Sequence, residues 1–135
     1  MSKRTGGFTL IELLVVIGII GILASIVLLS LNAARQKGRD ASASGSISSI
    51  RNQVEIYLND NNDYTGVLTD PAIIKLITAA ETQTGNPSSE GASAISYYVA
   101  IPLVGDSTRD FCIDSTGFAG KVATGTEDVV NFACN

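Results

Sequence analysis

Apolar residues follow two different patterns along the chain. Residues 8–34 hold 20 apolar side chains among 27, and Glu12 is the single charged residue among them. Within this stretch, residues 13–34 carry no charge. As an α-helix they span roughly 33 Å, enough for a hydrocarbon core of about 30 Å. We expect a membrane-spanning helix at about 13–34.

Beyond this run, apolar residues return at helical spacing. Five of them recur at intervals of four, three, four and three residues: Ala43, Ile47, Ile50, Val54 and Tyr57. This spacing predicts a continuing helix with one buried stripe. The turn-forming residues 59–63 end the pattern. We therefore predict one long helix over residues 8–61.

The rest of the chain, residues 62–135, predicts a globular head. Asp70 and Pro71 mark a helix start, and residues 83–87 end that short helix. We expect a loop at 88–93, then β-type runs at 95–101, 111–114, 118–123 and 129–133. Short turns between these runs suit an antiparallel sheet. The predicted class is α+β, with the second half of the long helix packed against a small antiparallel sheet.

Composition and charge exclude most catalytic chemistry. Residues 1–51 carry a net charge of +4, whereas residues 52–135 carry −8. The chain has no His and two Cys, which excludes His-based nucleophile pairs and four-thiolate zinc sites. Asp60 and Asp63 do not fit the EF-hand pattern, and the acidic body is a poor nucleic-acid surface. We expect no enzyme activity, cofactor, metal or direct nucleic-acid site.

The N-terminal motif carries the most specific signal. It reads Lys3-Arg4-Thr5-Gly6-Gly7-Phe8-Thr9-Leu10-Ile11-Glu12, followed by an apolar run. Over residues 3–31 the chain resembles the type IV pilin and pseudopilin family, whose fold is a ladle with a helical handle. The resemblance implies a leader at 1–7 that a prepilin peptidase removes by cutting between Gly7 and Phe8. It also implies N-methylation of the new Phe8 amine and retention of the apolar helix. A cleaved secretory signal is the alternative, although its apolar core is ordinarily 7–15 residues long.

Glu12 is a candidate assembly residue. A carboxylate carried into a membrane costs about 2.5 kcal/mol or more, so its presence there suggests a function. Cleavage after Gly7 would give Phe8 a positive amine one helical turn from Glu12. Within a monomer this pair can lie at the level of the lipid headgroups, and inside a bundle of helices Glu12 can meet the Phe8 amine of a neighbouring subunit. Such a pair sets the axial register, because burying one charge without its partner is costly. The alternative is an interfacial Glu that marks the membrane edge.

Cys112 and Cys134 are candidates for one disulfide in an exported head. Two buried free thiols are the alternative. The resemblance implies that residues 112–134 form an exposed, receptor-facing loop. Basic residues flank the apolar run on both sides, so the charge rule does not orient the helix. We place the head outside on the strength of the resemblance and the expected disulfide.

The resemblance implies a pilin that polymerises into a helical type IV pilus for adhesion, motility or DNA uptake. Its expected partners are further copies of itself, the prepilin peptidase, the pilus assembly machinery and the membrane. The expected location is the cytoplasmic membrane as a single-pass precursor, then the extracellular filament. One alternative is a pseudopilin or minor pilin of a type II secretion or competence system. Another is a monomeric, membrane-tethered ligand-binding domain.

Overall fold

The computed structural model describes residues 6–128 and 130–134. It contains two α-helices, a single 3-10 turn at Val67–Thr69 and one sheet. The helices are α1 (Leu10–Asn61) and α2 (Pro71–Thr84). The strands are β1 (Ser89–Ala92), β2 (Tyr97–Pro102), β3 (Arg109–Asp114) and β4 (Ala119–Ala123). Each strand pairs antiparallel with the next in the order β1-β2-β3-β4. The α+β class, with a long helix and a small antiparallel sheet, is confirmed.

The chain divides into two compact units, Met1–Arg35 and Gln36–Asn135. In the described part of the first unit, α1 exposes every side chain to its surroundings. This helix is long and apolar enough to cross a membrane. The helix carries apolar side chains on all of its sides. This pattern is typical of a helix covered by lipid or by other helices rather than by one sheet.

The core of the second unit lies between α1, α2 and one face of the sheet. The helical stripe of Ala43, Ile47, Ile50 and Val54 is fully buried. Alternate residues of the two central strands face this stripe because successive strand side chains point to opposite faces. The residues are Tyr97, Val99, Ile101, Phe111 and Ile113. The stripe predicted from spacing is therefore the surface that the sheet covers.

Helix α2 closes the same core and begins where the sequence predicts. The Asp70 carboxylate accepts hydrogen bonds from the backbone N–H groups of Ala72 and Ile73, at 2.8 and 3.3 Å. Pro71 follows at the first helical position, where no intrahelical N–H donor is needed. Gly85 ends the helix with φ = 74°, a conformation that glycine adopts at low cost.

The structure corrects the predicted strands at two places. Residues 89–92 were expected to be loop, but they form β1 on the edge of the sheet, paired with β2. Gly91 suits this position because a Cβ there would lie 2.6 Å from the Phe132 ring. Conversely, the expected strand at 129–133 is absent from its described residues 130–133, which form turns and one isolated bridge, Asp128 to Ala133. Residue 129 lies outside the described part.

The buried stripe provides a direct stability test with an internal control. Ile47 is fully buried and Ile56, on the same helix, is 57% exposed. We expect Ile47→Ala to lower the free energy of unfolding by about 2–5 kcal/mol through lost burial and a residual cavity. Ile56→Ala is expected to change it by less than about 0.5 kcal/mol. Urea unfolding of the full chain in detergent, followed by circular dichroism, checks both. Equal losses in the two variants would contradict this placement of the core.

Candidate functional site

The proposed cleavage position precedes α1 and is open to solvent. Gly7 and Phe8 lie outside regular secondary structure before the helix begins at Leu10, and Phe8 is 79% exposed. The basic residues of the motif, Lys3 and Arg4, lie outside the described residues. Both residues that flank the proposed cleavage position are therefore exposed.

Thr9 and Glu12 form a reciprocal cap at the start of α1. The Glu12 Oε2 atom accepts hydrogen bonds from the Thr9 backbone N–H and from the Thr9 hydroxyl, both at 2.8 Å. In return the Thr9 Oγ1 atom accepts a bond from the Glu12 backbone N–H at 3.2 Å. This arrangement is a capping box, in which a Thr and a Glu three residues later satisfy the free N–H groups of the first helical turn.

The cap gives Glu12 a role in addition to the predicted contact with a neighbouring subunit. No role was predicted for Thr9, although Thr-x-x-Glu before an apolar run is a recognisable capping signature. Both side-chain bonds of Glu12 use Oε2. Among the described residues, Oε1 has no hydrogen-bond partner, so it is available to a second group.

The helix that follows Glu12 presents a large apolar surface. Isolated soluble proteins rarely expose contiguous apolar patches larger than a few hundred Å², because water disfavours them. Here the exposed side chains continue over several helical turns. The exposed large apolar residues include Leu13, Leu14, Val15, Ile17, Ile19, Ile20, Ile22, Leu23, Ile26, Val27, Leu28 and Leu29. This surface requires lipid or other apolar helices around it.

The two cysteines are joined, as the sequence predicts. Cys112 on β3 and Cys134 near the C-terminus form a disulfide with Cα atoms 5.9 Å apart. The bond lies on the sheet face opposite α1, where Tyr98, Ala100 and Val122 are also buried. Closing a loop with a sequence separation of 22 residues stabilises the fold by about 3 kcal/mol in the chain-entropy estimate.

The closed segment 112–134 is not the exposed loop that the family resemblance implies. It contains the end of β3 and all of β4, and both cysteines are buried. Exposed residues include those of its turns, at 116–118 and 124–126. A receptor that contacts this region would meet turns projecting from a sheet, rather than one continuous loop.

Asp114 holds the closed segment together through its buried carboxylate. Oδ1 accepts from the N–H and hydroxyl of Thr116, at 2.8 and 2.6 Å, and from the Phe118 N–H at 3.2 Å. Oδ2 accepts from the Cys134 N–H at 2.8 Å. Burial raises the pKa of Asp114, but these four hydrogen bonds stabilise the anion and together hold the pKa below its usual value.

Asp40 performs a similar task between α1 and the turn after β2. Its two carboxylate oxygens accept from the backbone N–H groups of Val104 and Gly105, at 2.6 and 2.9 Å. A Cβ at residue 105 would lie 2.8 Å from Asp40 Oδ2, so glycine permits the approach. This contact was not predicted from the sequence, because its two partners lie more than 60 residues apart in the chain.

Comparison with known proteins agrees with the motif. The family model for the prokaryotic N-terminal methylation motif matches residues 2–28. The type IV wide pilus major component PilA4 of Thermus thermophilus is 40% identical over 95 residues, covering 70% of this chain and 71% of that protein. This chain belongs to the type IV pilin and pseudopilin family.

The similarity to other family members extends to secretion proteins. The type II secretion system core protein G of Aeromonas hydrophila is 42% identical over 63 residues, covering 47% of this chain and 44% of that protein. Its namesake in Pseudomonas aeruginosa is 30% identical over 101 residues, covering 75% of this chain and 68% of that protein. No solved structure gives a significant match. The family thus includes pilus and secretion relatives of this chain.

The depressed pKa of Asp114 predicts a pH-dependent contribution to stability. We expect Asp114→Asn to lower the free energy of unfolding by about 2–3 kcal/mol at pH 7, because buried N–H donors lose an anionic acceptor. The native pKa lies below the unfolded value of about 3.9, so this contribution is present above that value and is lost as the pH falls through the native pKa.

Urea unfolding at pH 7 and at pH 3 checks the prediction. The difference in the free energy of unfolding between wild type and Asp114→Asn should be smaller at pH 3 than at pH 7. Asp60→Asn is the matched control, because the Asp60 side chain is exposed and makes no hydrogen bond among the described residues. A difference that stays constant with pH would show that the Asn side chain perturbs packing rather than charge.

Proposed function

We propose that this chain is a structural pilin subunit that polymerises into a type IV pilus filament. The observation that carries the proposal is the fully exposed apolar length of α1 headed by Glu12. In lipid that surface is covered by acyl chains, and in a filament neighbouring copies of the same helix cover it. The match to the pilus component PilA4 over 71% of its length supports this function.

We further propose that processing occurs between Gly7 and Phe8 and leaves a methylated Phe8 amine. The match of the methylation motif to residues 2–28, which include both positions, supports this step. The precursor would cross the cytoplasmic membrane once, with the head outside, and its cut N-terminus would stay at the membrane edge. A disulfide in the head is consistent with an oxidising compartment. Prepilin peptidase and pilus assembly proteins are the expected partners.

In the proposed filament, Glu12 serves two groups with its two oxygens. Oε2 keeps the helix cap with Thr9 of its own chain. Oε1 then accepts a hydrogen bond from the Phe8 amine of a neighbouring subunit. Between apolar helices this charge pair is desolvated, and a missing partner costs several kcal/mol. The pair therefore favours one axial register between neighbours.

A pseudopilin of a type II secretion system is the second candidate. The match to the type II secretion system core protein G of Pseudomonas aeruginosa over 75% of this chain favours it. Both candidates share the helix, the cap and the processing step. The two candidates differ in the number of filaments expected at native expression: a pilin should form many filaments, whereas a pseudopilin should form few.

Mass spectrometry of sheared surface material tests processing and export together. We expect an N-terminal peptide that begins at N-methylated Phe8, and a head in which Cys112 and Cys134 are oxidised. Recovery of chain beginning at Met1, confined to the membrane fraction, would contradict the proposal. If the protein is absent from sheared fractions despite normal membrane levels, a membrane form that begins at N-methylated Phe8 would favour the pseudopilin, and an unprocessed form would favour a monomeric tethered domain.

Two matched substitutions separate the cap from the assembly contact. Glu12→Gln keeps an acceptor for Thr9, because Gln also fits the capping box, but it removes the charge. We expect normal membrane insertion and at least about tenfold fewer filaments, since the buried amine loses its counter-ion. Thr9→Val weakens the cap by about 1 kcal/mol and keeps the charge, so filaments should remain near wild-type levels.

Filament yield by electron microscopy and membrane content by immunoblot provide the two measurements. Wild-type filament numbers in Glu12→Gln would contradict the charge pair. If filament yield falls equally in Thr9→Val and Glu12→Gln, Glu12 would act in assembly only through the helix cap.

A further inference from the structure

A cavity of about 330 Å³ lies between α1 and β4 in the second unit. Four of its lining residues come from two turns of the helix, and one comes from the strand. They are Lys37, Asp40, Ala41, Ser44 and Lys121. The cavity thus brings together two lysines that are 84 positions apart in the sequence.

The groups that line this cavity leave a positive charge unpaired. Among the described residues, neither Lys37 nor Lys121 forms an ion pair, and the Ser44 hydroxyl makes no hydrogen bond. Asp40 is the acidic group of the lining, and its two oxygens accept backbone N–H bonds from the turn after β2. These bonds orient the carboxylate without cancelling its charge, so two lysines and one aspartate give the lining a net charge of +1. Two ammonium groups and one hydroxyl therefore remain to bind an anion.

One further acidic residue influences this region. The Asp106 carboxylate is attracted electrostatically by Arg109 and Lys121. However, its Oδ1 atom accepts hydrogen bonds from the backbone and hydroxyl of Thr108. It also lies on the exposed turn between β2 and β3, where solvent weakens its attraction for Lys121. Asp106 therefore offsets the charge of Lys121 only weakly.

The position of the cavity along α1 indicates the source of the anion. Lys37 follows Ala34, the last residue of the uncharged run, by three residues, or about 4.5 Å of helix rise. If that run spans the membrane, Lys37 lies at the level of the lipid headgroups. Exposed Arg35 and Arg39 flank it, and clustered basic residues at this depth attract anionic lipids.

We propose that the Lys37–Lys121 cavity binds the phosphate of an anionic phospholipid headgroup while the subunit is in the membrane. Ser44 donates a hydrogen bond to the same phosphate. The inference rests on the proposed membrane-anchored precursor, but it does not depend on polymerisation. Binding would hold β4 close to the membrane surface, and the lipid would be released when the subunit leaves the bilayer.

Lipid binding to the full chain in detergent micelles tests the site. Native mass spectrometry with added phosphatidylglycerol or phosphatidylcholine gives the fraction of protein that retains each lipid. We expect clear preference for phosphatidylglycerol, and about fivefold weaker binding in Lys37→Gln and in Lys121→Gln, the effect ordinarily associated with one basic residue at a membrane surface. Lys121→Arg should restore most of the binding.

Lys75→Gln is the matched control, because Lys75 is an exposed lysine on α2 outside the cavity. If Lys75→Gln and Lys121→Gln weaken phosphatidylglycerol binding equally, the binding depends only on the net charge of the protein, and the proposed site is overturned. Unchanged binding in Lys121→Gln would also overturn it. Circular dichroism confirms that each variant is folded, which is expected because Lys37 and Lys121 are exposed.

Two further experiments, a phosphate competition and a cross-linking test, identify the source of the anion. Inorganic phosphate at millimolar concentration should displace little phosphatidylglycerol, and complete displacement would mean a free-phosphate site and contradict the lipid assignment. In sheared filaments, a carbodiimide cross-link from Lys121 to an acidic residue of another copy, combined with no lipid preference in micelles, would reassign the cavity to a subunit contact. Filament yield in Lys121→Gln is scored separately, so loss of lipid binding leaves the proposed pilin function intact.

Discussion

The head depends on the burial of one helical stripe beneath the sheet. Ala43, Ile47, Ile50 and Val54 project from one side of α1, and the central strands supply the side chains that cover them. Over residues 13–34 the same helix is apolar on all sides and therefore has no single side for a sheet to cover. This change in apolar pattern, within one continuous helix, determines which part belongs to the head and which part needs lipid or other helices.

Buried carboxylates hold the connections of this acidic head in place. Asp40 and Asp114 each use both oxygens, and each accepts backbone N–H groups from a turn or from the C-terminal segment. Such groups would be costly to bury without these donors. The acidic composition is therefore not confined to solvated surface, and these two negative charges organise the turn after β2 and the turn before β4.

Local patterns were sufficient to predict α1, α2 and the central hairpins. The spacing of Ile47, Ile50 and Val54 predicts the buried stripe, and Asp70 before Pro71 predicts the start of α2 correctly. Strand β1 was not predictable in this way, because Ser-Glu-Gly-Ala has low β propensity and becomes a strand through pairing with β2. The Asp40 contact likewise depends on a partner distant in sequence. Thr9 is different, since its capping signature is local and was available in the motif.

The disulfide has a consequence for the covalent topology of the head. It closes a ring of chain from Cys112 to Cys134 that contains β4 and the exposed turn at 124–126. A protease that cuts one peptide bond in this turn opens the ring but separates no fragment, because the two ends stay linked through sulfur. With β4 still paired to β3, a nicked head would remain one molecule until a reductant reached the buried bond.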